Sequence, residues 1–413
     1  MNNPASPITL KARYLFPIDG DPIPDGEVTI RGDTIEAVGQ NLSNDARDLG
    51  NVALLPGLVN AHTHLEFSDV EVPLGEAGML LPDWIRLVVD KRRRQLREAS
   101  DYAAARREAV EAGLQEAQLS GTVALGEIAT LGWPEDAFDD TTIDATIFFE
   151  MIGRSSEQTD PLLHQAYDHF SLGKSAATPF RAGLSPHAPY SIHAELVARS
   201  ALLSHQHQIP LTMHLAESIE ELELLDSSSG PLREMLEDFE AWDPAAVPRG
   251  IRPLDYLQML ELAHRVLVVH GNFLAEDEIQ YLGSQRDHMS VVYCPRTHAY
   301  FQHGEYPLRK LLDAGVAIAL GTDSRASNPD LNLFAEMRAV AQSFSYVPLR
   351  MILEMGTIAG ARALGLDNEY GSLTPGKRAR LTCVPLPDSS IDDPHELLLD
   401  ADPACVKPLV IEP

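Results

Sequence analysis

Two histidines one residue apart, His62 and His64, close an apolar run that reads Pro56-Gly57-Leu58-Val59-Asn60-Ala61. On extended backbone successive side chains alternate faces, so positions i and i+2 point to one side and can converge on a single ion. Neutral imidazole is a common nitrogen ligand for zinc and related divalent cations. Alone, the pair says little. The 15 histidines among 413 residues give roughly 0.5 His-x-His pairs by chance, and a second pair, His205-Gln206-His207, does occur. It stands where a helix is expected to end, a geometry in which i and i+2 do not face each other, and it is assigned to solvent. The 62/64 pair is therefore judged by what else could complete a site.

A catalytic zinc site needs protein ligands that leave one position open for water, histidines and sometimes a carboxylate. The candidates are His62, His64, His214 in Leu-Thr-Met-His-Leu-Ala-Glu, and Asp323 in Leu-Gly-Thr-Asp-Ser. Each also has a plainer reading. His214 could be a hydrogen-bonded core histidine, and Asp323 a turn residue or helix N-cap. Trp84, near an expected helix start, is a candidate to stack on a heterocycle and equally a candidate for the core. What favours the metal reading is the placement of all four just after expected strands.

Eight short β-branched or apolar runs recur, separated by segments of helical periodicity: 52–59, 122–128, 145–152, 180–184, 210–213, 265–269, 289–293 and 316–320. That alternation predicts parallel β/α units and, at eight strands over about 300 residues, a (β/α)8 barrel, whose chemistry sits at the C-terminal strand ends. Nearly every run ends in a polar group: His62 and His64, Glu127, Glu150, His187, His214 with Glu217, His270, Arg296 and Asp323. Arg154 stands close to the third strand end. Residues 8–12, 26–30 and 34–38 read as short alternating strands joined by Gly- and Asp-rich turns, and 381–384 adds similar material. The expected organisation is a small β-sandwich from 1–57 plus 366–413 around a barrel over 58–365.

Composition narrows the function classes. The 61 acidic and 32 basic residues leave a net charge of −29, which repels nucleic acid and anionic membranes. No apolar run reaches a membrane-spanning length and Met1-Asn2-Asn3-Pro4 does not read as a signal peptide. The three cysteines, Cys294, Cys383 and Cys405, are too few and too scattered for a disulfide framework or a thiolate zinc site. A cytoplasmic enzyme with a small-molecule substrate, with a homodimer as one possible assembly, is the default. The only basic cluster, Lys91 to Arg94, is assigned to a solvated helix face. The cytidine-deaminase design is set aside, since His193-Ala194-Glu195 has no accompanying Pro-Cys-x-x-Cys, and no His-Glu-x-x-His occurs.

Taken together, Pro56-Gly57-Leu58-Val59-Asn60-Ala61-His62-Thr63-His64, Ser185-Pro186-His187, His214-Leu215-Ala216-Glu217, Val269-His270-Gly271, Cys294-Pro295 and Gly321-Thr322-Asp323-Ser324 resemble the amidohydrolase superfamily, in its cytosine deaminase-like and adenosine-type branch. The resemblance spans almost the whole chain. It implies that His62, His64, His214 and Asp323 hold one divalent ion, zinc or iron, because no lysine stands at the fourth strand end where binuclear relatives keep a carbamylated bridge. It also implies that a metal-activated water attacks the substrate, with Asp323 taking its proton, Glu217 protonating a ring nitrogen and His270 orienting the water. His187 matches a position that contacts the nucleoside. After Cys294-Pro295 the sequence departs from many relatives, and the loop Arg296 to His303, with His298, is expected to line the pocket. Arg154 is counted with the substrate contacts on its strand-end position.

The segment His62-Thr63-His64-Leu65-Glu66-Phe67-Ser68 resembles proteins grouped with aminodeoxyfutalosine deaminases, and S-adenosylhomocysteine deaminases belong to the same branch. The expected reaction is hydrolytic deamination of an amino-substituted N-heterocycle, an adenine nucleoside above others. The alternatives are a chlorohydrolase or cyclic amidohydrolase on a triazine, pyrimidine or guanine-type ring, and a catalytically silent ligand-binding barrel.

Overall fold

The computed structural model describes residues 6–173 and 178–409; the outermost ends of the two expected terminal segments, 1–5 and 410–413, lie outside the described residues. Five strands come first: β1 (Ile8–Leu15), β2 (Ile23–Arg31), β3 (Thr34–Gly39), β4 (Arg47–Asp48) and β5 (Val52–Pro56). Eight follow in turn with helices between most of them: β6 (Leu58–Thr63), β7 (Thr122–Ala129), β8 (Asp144–Met151), β9 (Phe180–Pro186), β10 (Pro210–Leu215), β11 (Arg265–His270), β12 (Met289–Tyr293) and β13 (Ala317–Leu320). The last two are β14 (Leu381–Pro385) and β15 (Lys407–Pro408).

Strands β6 to β13 pair in chain order, every neighbour parallel. A parallel bridge between Thr63 and Asp323 joins the first to the last, so the sheet closes as a (β/α)8 barrel. Closure is reinforced by Asn60, whose amide donates to Thr322 Oγ1 at 2.7 Å and whose Oδ1 accepts from the Thr322 N–H at 3.1 Å. Inside, Phe148 of β8 occupies the space left by Gly126 of β7 and Gly183 of β9, where added side chains would meet its ring. Truncating such a buried ring costs about 3–5 kcal/mol.

The termini build a separate sheet in the order β15-β14-β5-β1-β2-β3, with β4 on β1. It is a single mixed sheet, since β4 and β5 run parallel to β1 while the other pairs are antiparallel. The expected strand over 52–59 divides at Gly57: Val52–Pro56 joins the terminal sheet, and the barrel begins only at Leu58. A side chain at 57 would run into Val123, and the Gly57 and Leu58 N–H groups donate to Arg380 and Gly121. The chain changes sheets where it carries no bulk. Among the described residues no helix is long and apolar enough to cross a membrane.

Helix α1 (Leu81–Glu98) follows β6 after a long loop. It starts on Pro82, whose fixed φ and missing N–H suit a first turn, and it carries Asp83 at the positive end of its dipole and Arg97 at the negative end. Its next neighbour is α2 (Tyr102–Leu119), capped by Asp101.

Candidate metal centre and substrate cleft

The seam between β6 and β13 positions three of the candidate ligands. His62 lies in β6 and His64 one residue past its end, while Asp323 follows β13 and is tied back by its N–H to the His62 carbonyl at 3.1 Å. Asp323 adopts a left-handed φ of 56°, as do His270 at 71° and Ala216 at 54°. Non-glycine residues rarely take this conformation, and three of them at the strand ends of one barrel mouth is the kind of local strain that a surrounding structure must hold in place. Asp323 is fixed further by the Ser324 N–H on Oδ1 at 2.8 Å and the Ser327 hydroxyl on Oδ2 at 3.1 Å. Behind the His-Thr-His turn sits Glu127, which accepts from Thr63 Oγ1 at 2.7 Å and from the Leu65 N–H at 3.0 Å.

Glu221 plays the matching part after β10. In the helix Ile219–Ser227, opened by the N-cap Ser218, its carboxylate accepts the Ala216 and Glu217 N–H groups at 2.9 and 3.0 Å. The turn carrying Glu217 is thereby held from beneath. Asn272 adds a bond to the Glu217 carbonyl at 2.9 Å.

The ligand atoms converge. One set formed by His62, His64 and Asp323 and another formed by His62, His214 and His270 each lie within 4.8 Å of one another. Nε2 of His62 and of His64 stand 3.7 and 3.8 Å from Asp323 Oδ1, and Nε2 of His64 stands 3.4 Å from Nε2 of His214. His214 directs Nδ1 to the His187 carbonyl at 3.2 Å, which places the proton there and leaves the Nε2 lone pair facing the cluster. Both ring nitrogens of His62 and Nδ1 of His64 are buried with no hydrogen-bond partner among the described residues. Orphaned polar atoms at this depth are costly, and a cation accepted by the inward lone pairs accounts for them. The residues present fit a divalent metal.

Electrostatics separates the acids and bases. Burial first, and the nearby His62 second, keep His64 and His214 well below the ordinary imidazole value, and burial lowers His270 to about 3. These rings are neutral, as ligands must be. Burial acts to raise Asp323, but His62, His64 and His270 outweigh it and hold the carboxyl below its usual range. Glu217, with its Oε1 3.4 Å from His270 Nε2, goes the other way: burial and the charges of Asp323 and Glu221 push it well above the carboxylate range. One carboxyl is biased toward its ionised form and its neighbour toward its protonated form, the pairing by which one site can handle both directions of proton transfer.

This cluster floors a cleft open to solvent and walled largely by apolar side chains, as small-molecule sites commonly are. One wall is α1, with Leu81, Trp84, Ile85, Val88, Val89 and Arg92 facing in, and the other carries Ile152, Arg154, Met235 and Phe239. His187 and Glu217 line it, as do Trp84 and Arg154. The Trp84 indole N–H is tied to the Ala326 carbonyl at 3.1 Å, and Arg154 Nε donates to the Tyr190 carbonyl at 3.3 Å.

His298 is not brought to the cleft. Residues Pro295–Tyr300 coil into a short helix, and the His298 ring is engaged one layer behind, by Asn272 Oδ1 at 3.1 Å and the Gly304 carbonyl at 2.8 Å. The 296–303 loop backs the α1 wall instead, through an edge contact of Phe301 on Trp84. Arg296 is spent on buried Glu336 and on Asp330.

The basic cluster on α1 is not simply solvated. Arg92 lines the cleft and pairs with buried Glu66, over the Phe67 ring. Its spacing was the available signal: 84, 88 and 92 fall on one helix face at i, i+4, i+8. The second His-x-His pair does end a helix, with His205 exposed and half-buried His207 packed on Phe170.

Comparison with known proteins adds names to this geometry. The amidohydrolase family pattern matches residues 53–410. An aminodeoxyfutalosine deaminase of Nitratiruptor sp. is 28% identical over 370 residues, covering 86% of this chain and 85% of its own. A 5-methylthioadenosine/S-adenosylhomocysteine deaminase of Moorella thermoacetica is 27% identical over 411 residues, covering 94% and 88%. Among solved structures, an adenosine deaminase from Xanthomonas campestris with bound zinc superposes with a TM-score of 0.79 at 24% identity, covering 97% of this chain and 92% of its own.

Proposed function

The chain belongs to the amidohydrolase family, and from that premise we propose that it deaminates an adenine nucleoside with water, releasing ammonia. The observation that carries the reading is the juxtaposition of Asp323, its carboxyl held low, and Glu217, its carboxyl pushed up, beside His62, His64, His214 and His270 at the floor of one cleft. The relatives named as an aminodeoxyfutalosine deaminase and a 5-methylthioadenosine/S-adenosylhomocysteine deaminase support this class of substrate.

His62, His64, His214 and Asp323 would hold a single zinc ion, which when bound supplies Lewis-acid activation of a water molecule at neutral pH. The rest of the work falls to side chains. Glu217 donates its proton to a ring nitrogen, which makes the adjacent amino-bearing carbon electrophilic. Water adds to that carbon, its proton passing to Asp323 and its oxygen steadied by His270. Asp323 then passes the proton it took to the amino group, the added hydroxyl returns a proton to Glu217, and the C–N bond breaks with ammonia leaving and the oxo ring remaining. Trp84, Ile85 and Val88 form an apolar wall for the heterocycle, keeping bulk water from the carbon under attack. The three cysteines are all unpaired, in keeping with a cytoplasmic enzyme.

The test is ammonia release from adenosine, 5′-thio-substituted adenosines, guanine, cytosine and aminotriazines, using protein of measured metal content. Turnover of adenine nucleosides above the others is expected. Activity confined to a cyclic amide or a chlorinated triazine would replace the deaminase reading while leaving the site intact.

A further inference from the structure

His298 stands behind the cleft, and its ring reaches the Glu217 turn through a single residue. Asn272, buried past the end of β11, donates its side-chain N–H to the Glu217 carbonyl at 2.9 Å. A carbonyl only accepts, so the Asn272 nitrogen must face Glu217 and its Oδ1 must face away. Oδ1 there meets His298 Nδ1 at 3.1 Å, its sole partner among the described residues. On the far side of the ring, Nε2 meets the Gly304 carbonyl at 2.8 Å. Both oxygens are acceptors, so a proton on Nδ1 makes the bond to Asn272 and a proton on Nε2 makes the bond to Gly304.

The turn that Asn272 holds is strained, with Ala216 at a φ of 54°. Three successive carbonyls in it are bonded from the loop after β11. Leu215 accepts from the Gly271 N–H and Ala216 from the Phe273 N–H, both at 3.0 Å, and Glu217 accepts from the Asn272 side chain. The first two donors are backbone and cannot turn over. The third is an amide that can, and turning it sets Oδ1 against the Glu217 carbonyl, oxygen to oxygen. His298 opposes that reversal. The same segment also braces the neighbouring turn, since the Tyr306 hydroxyl donates to the His270 carbonyl at 3.0 Å and the His298 ring packs edge-on against Tyr306.

We infer that His298 is a positioning residue for the reaction: through Asn272 it fixes the turn that aims Glu217, without touching the substrate. The inference rests on the deaminase reading above, in which Glu217 is the acid. Misplacing such a group by about an ångström costs up to about 100-fold in rate. The α1 wall that receives the heterocycle is left as it was, so the loss falls on kcat and spares KM.

The experiment replaces one donor of the ring at a time. An asparagine at 298 keeps an N–H near the position of Nδ1, and a glutamine keeps one near that of Nε2. With adenosine as substrate and ammonia release as readout, His298→Asn should hold kcat within about threefold of wild type, whereas His298→Gln should lower it about tenfold or more, with KM and metal content little changed. A kcat in the glutamine variant within threefold of the asparagine variant, or above it, overturns the inference and leaves the ring as an anchor for the loop at Gly304. A loss carried by KM overturns it too. Should His298→Gln fail to fold, His298→Leu takes its place with the same expectation. Adding His298→Gln to Asn272→Ala should cost no more than about twofold beyond Asn272→Ala alone, and losses that multiply overturn the route through Asn272. A wild type inactive on every adenine nucleoside overturns the functional reading and this inference with it, an outcome distinct from an active wild type whose two variants behave alike.

Discussion

At the floor of the cleft the backbone turns that carry the polar groups are pinned: Asp323 to Ser324 and to the His62 carbonyl, the His-Thr-His turn to Glu127, and the Glu217 turn to Glu221 and Asn272. The wall is built from the side chains of α1, among them Leu81, Trp84, Ile85, Val88 and Arg92. Strand ends give fixed positions that chemistry needs, since misplacing a catalytic group by an ångström costs orders of magnitude. A helix wall of side chains gives selectivity that depends on what arrives. Changes at the floor should therefore act on metal content and kcat, and changes at the wall on KM and on the choice of substrate.

The largest effect is expected for His214→Ala, which should lose bound metal by elemental analysis and lower kcat/KM by about 10³-fold or more. Chelation of the wild type should do the same and also lower Tm, because an ion bound only by the folded state stabilises it. Glu217→Gln is next, with kcat reduced about 10²- to 10⁴-fold and metal content intact; a variant that instead lost its metal would blur the division between ligand and acid. Glu127→Ala strands the Thr63 hydroxyl and Leu65 N–H and should weaken metal affinity about 10- to 100-fold in competition with a chromophoric chelator, with the ligands themselves untouched. Trp84→Ala is the smallest, raising KM about tenfold with kcat within a few-fold. A kcat loss there as large as that of Glu217→Gln would mean that the wall and the floor are not separable.

The floor was legible in the sequence because its residues follow short apolar runs, and a strand end restricts where a side chain can go. His62, His64, His214, His270 and Asp323 are placed by that rule alone. Of the wall only Trp84 and Arg154 were legible. Arg92 sits in a basic run that reads as solvated until Glu66, 26 residues earlier, is seen beneath it. His298 failed for the opposite reason, since a polar residue after a strand can coil into a helix and turn to Asn272 and Gly304. The boundary at Gly57 escaped because one apolar run feeds two sheets, and only the crowding by Val123 shows where it must break.

The bond from the Asp323 N–H to the His62 carbonyl unites the first and last strands of the barrel, segments separated by 262 positions along the chain at the Asn60–Thr322 pair. Contacts so distant in sequence are among the slowest to form during folding. A nascent or partly folded chain that has not yet docked β13 owns none of the finished constellation, so reactive chemistry is withheld until the barrel shuts. Recovery of turnover after dilution from denaturant therefore doubles as a clock for the final closure of the fold.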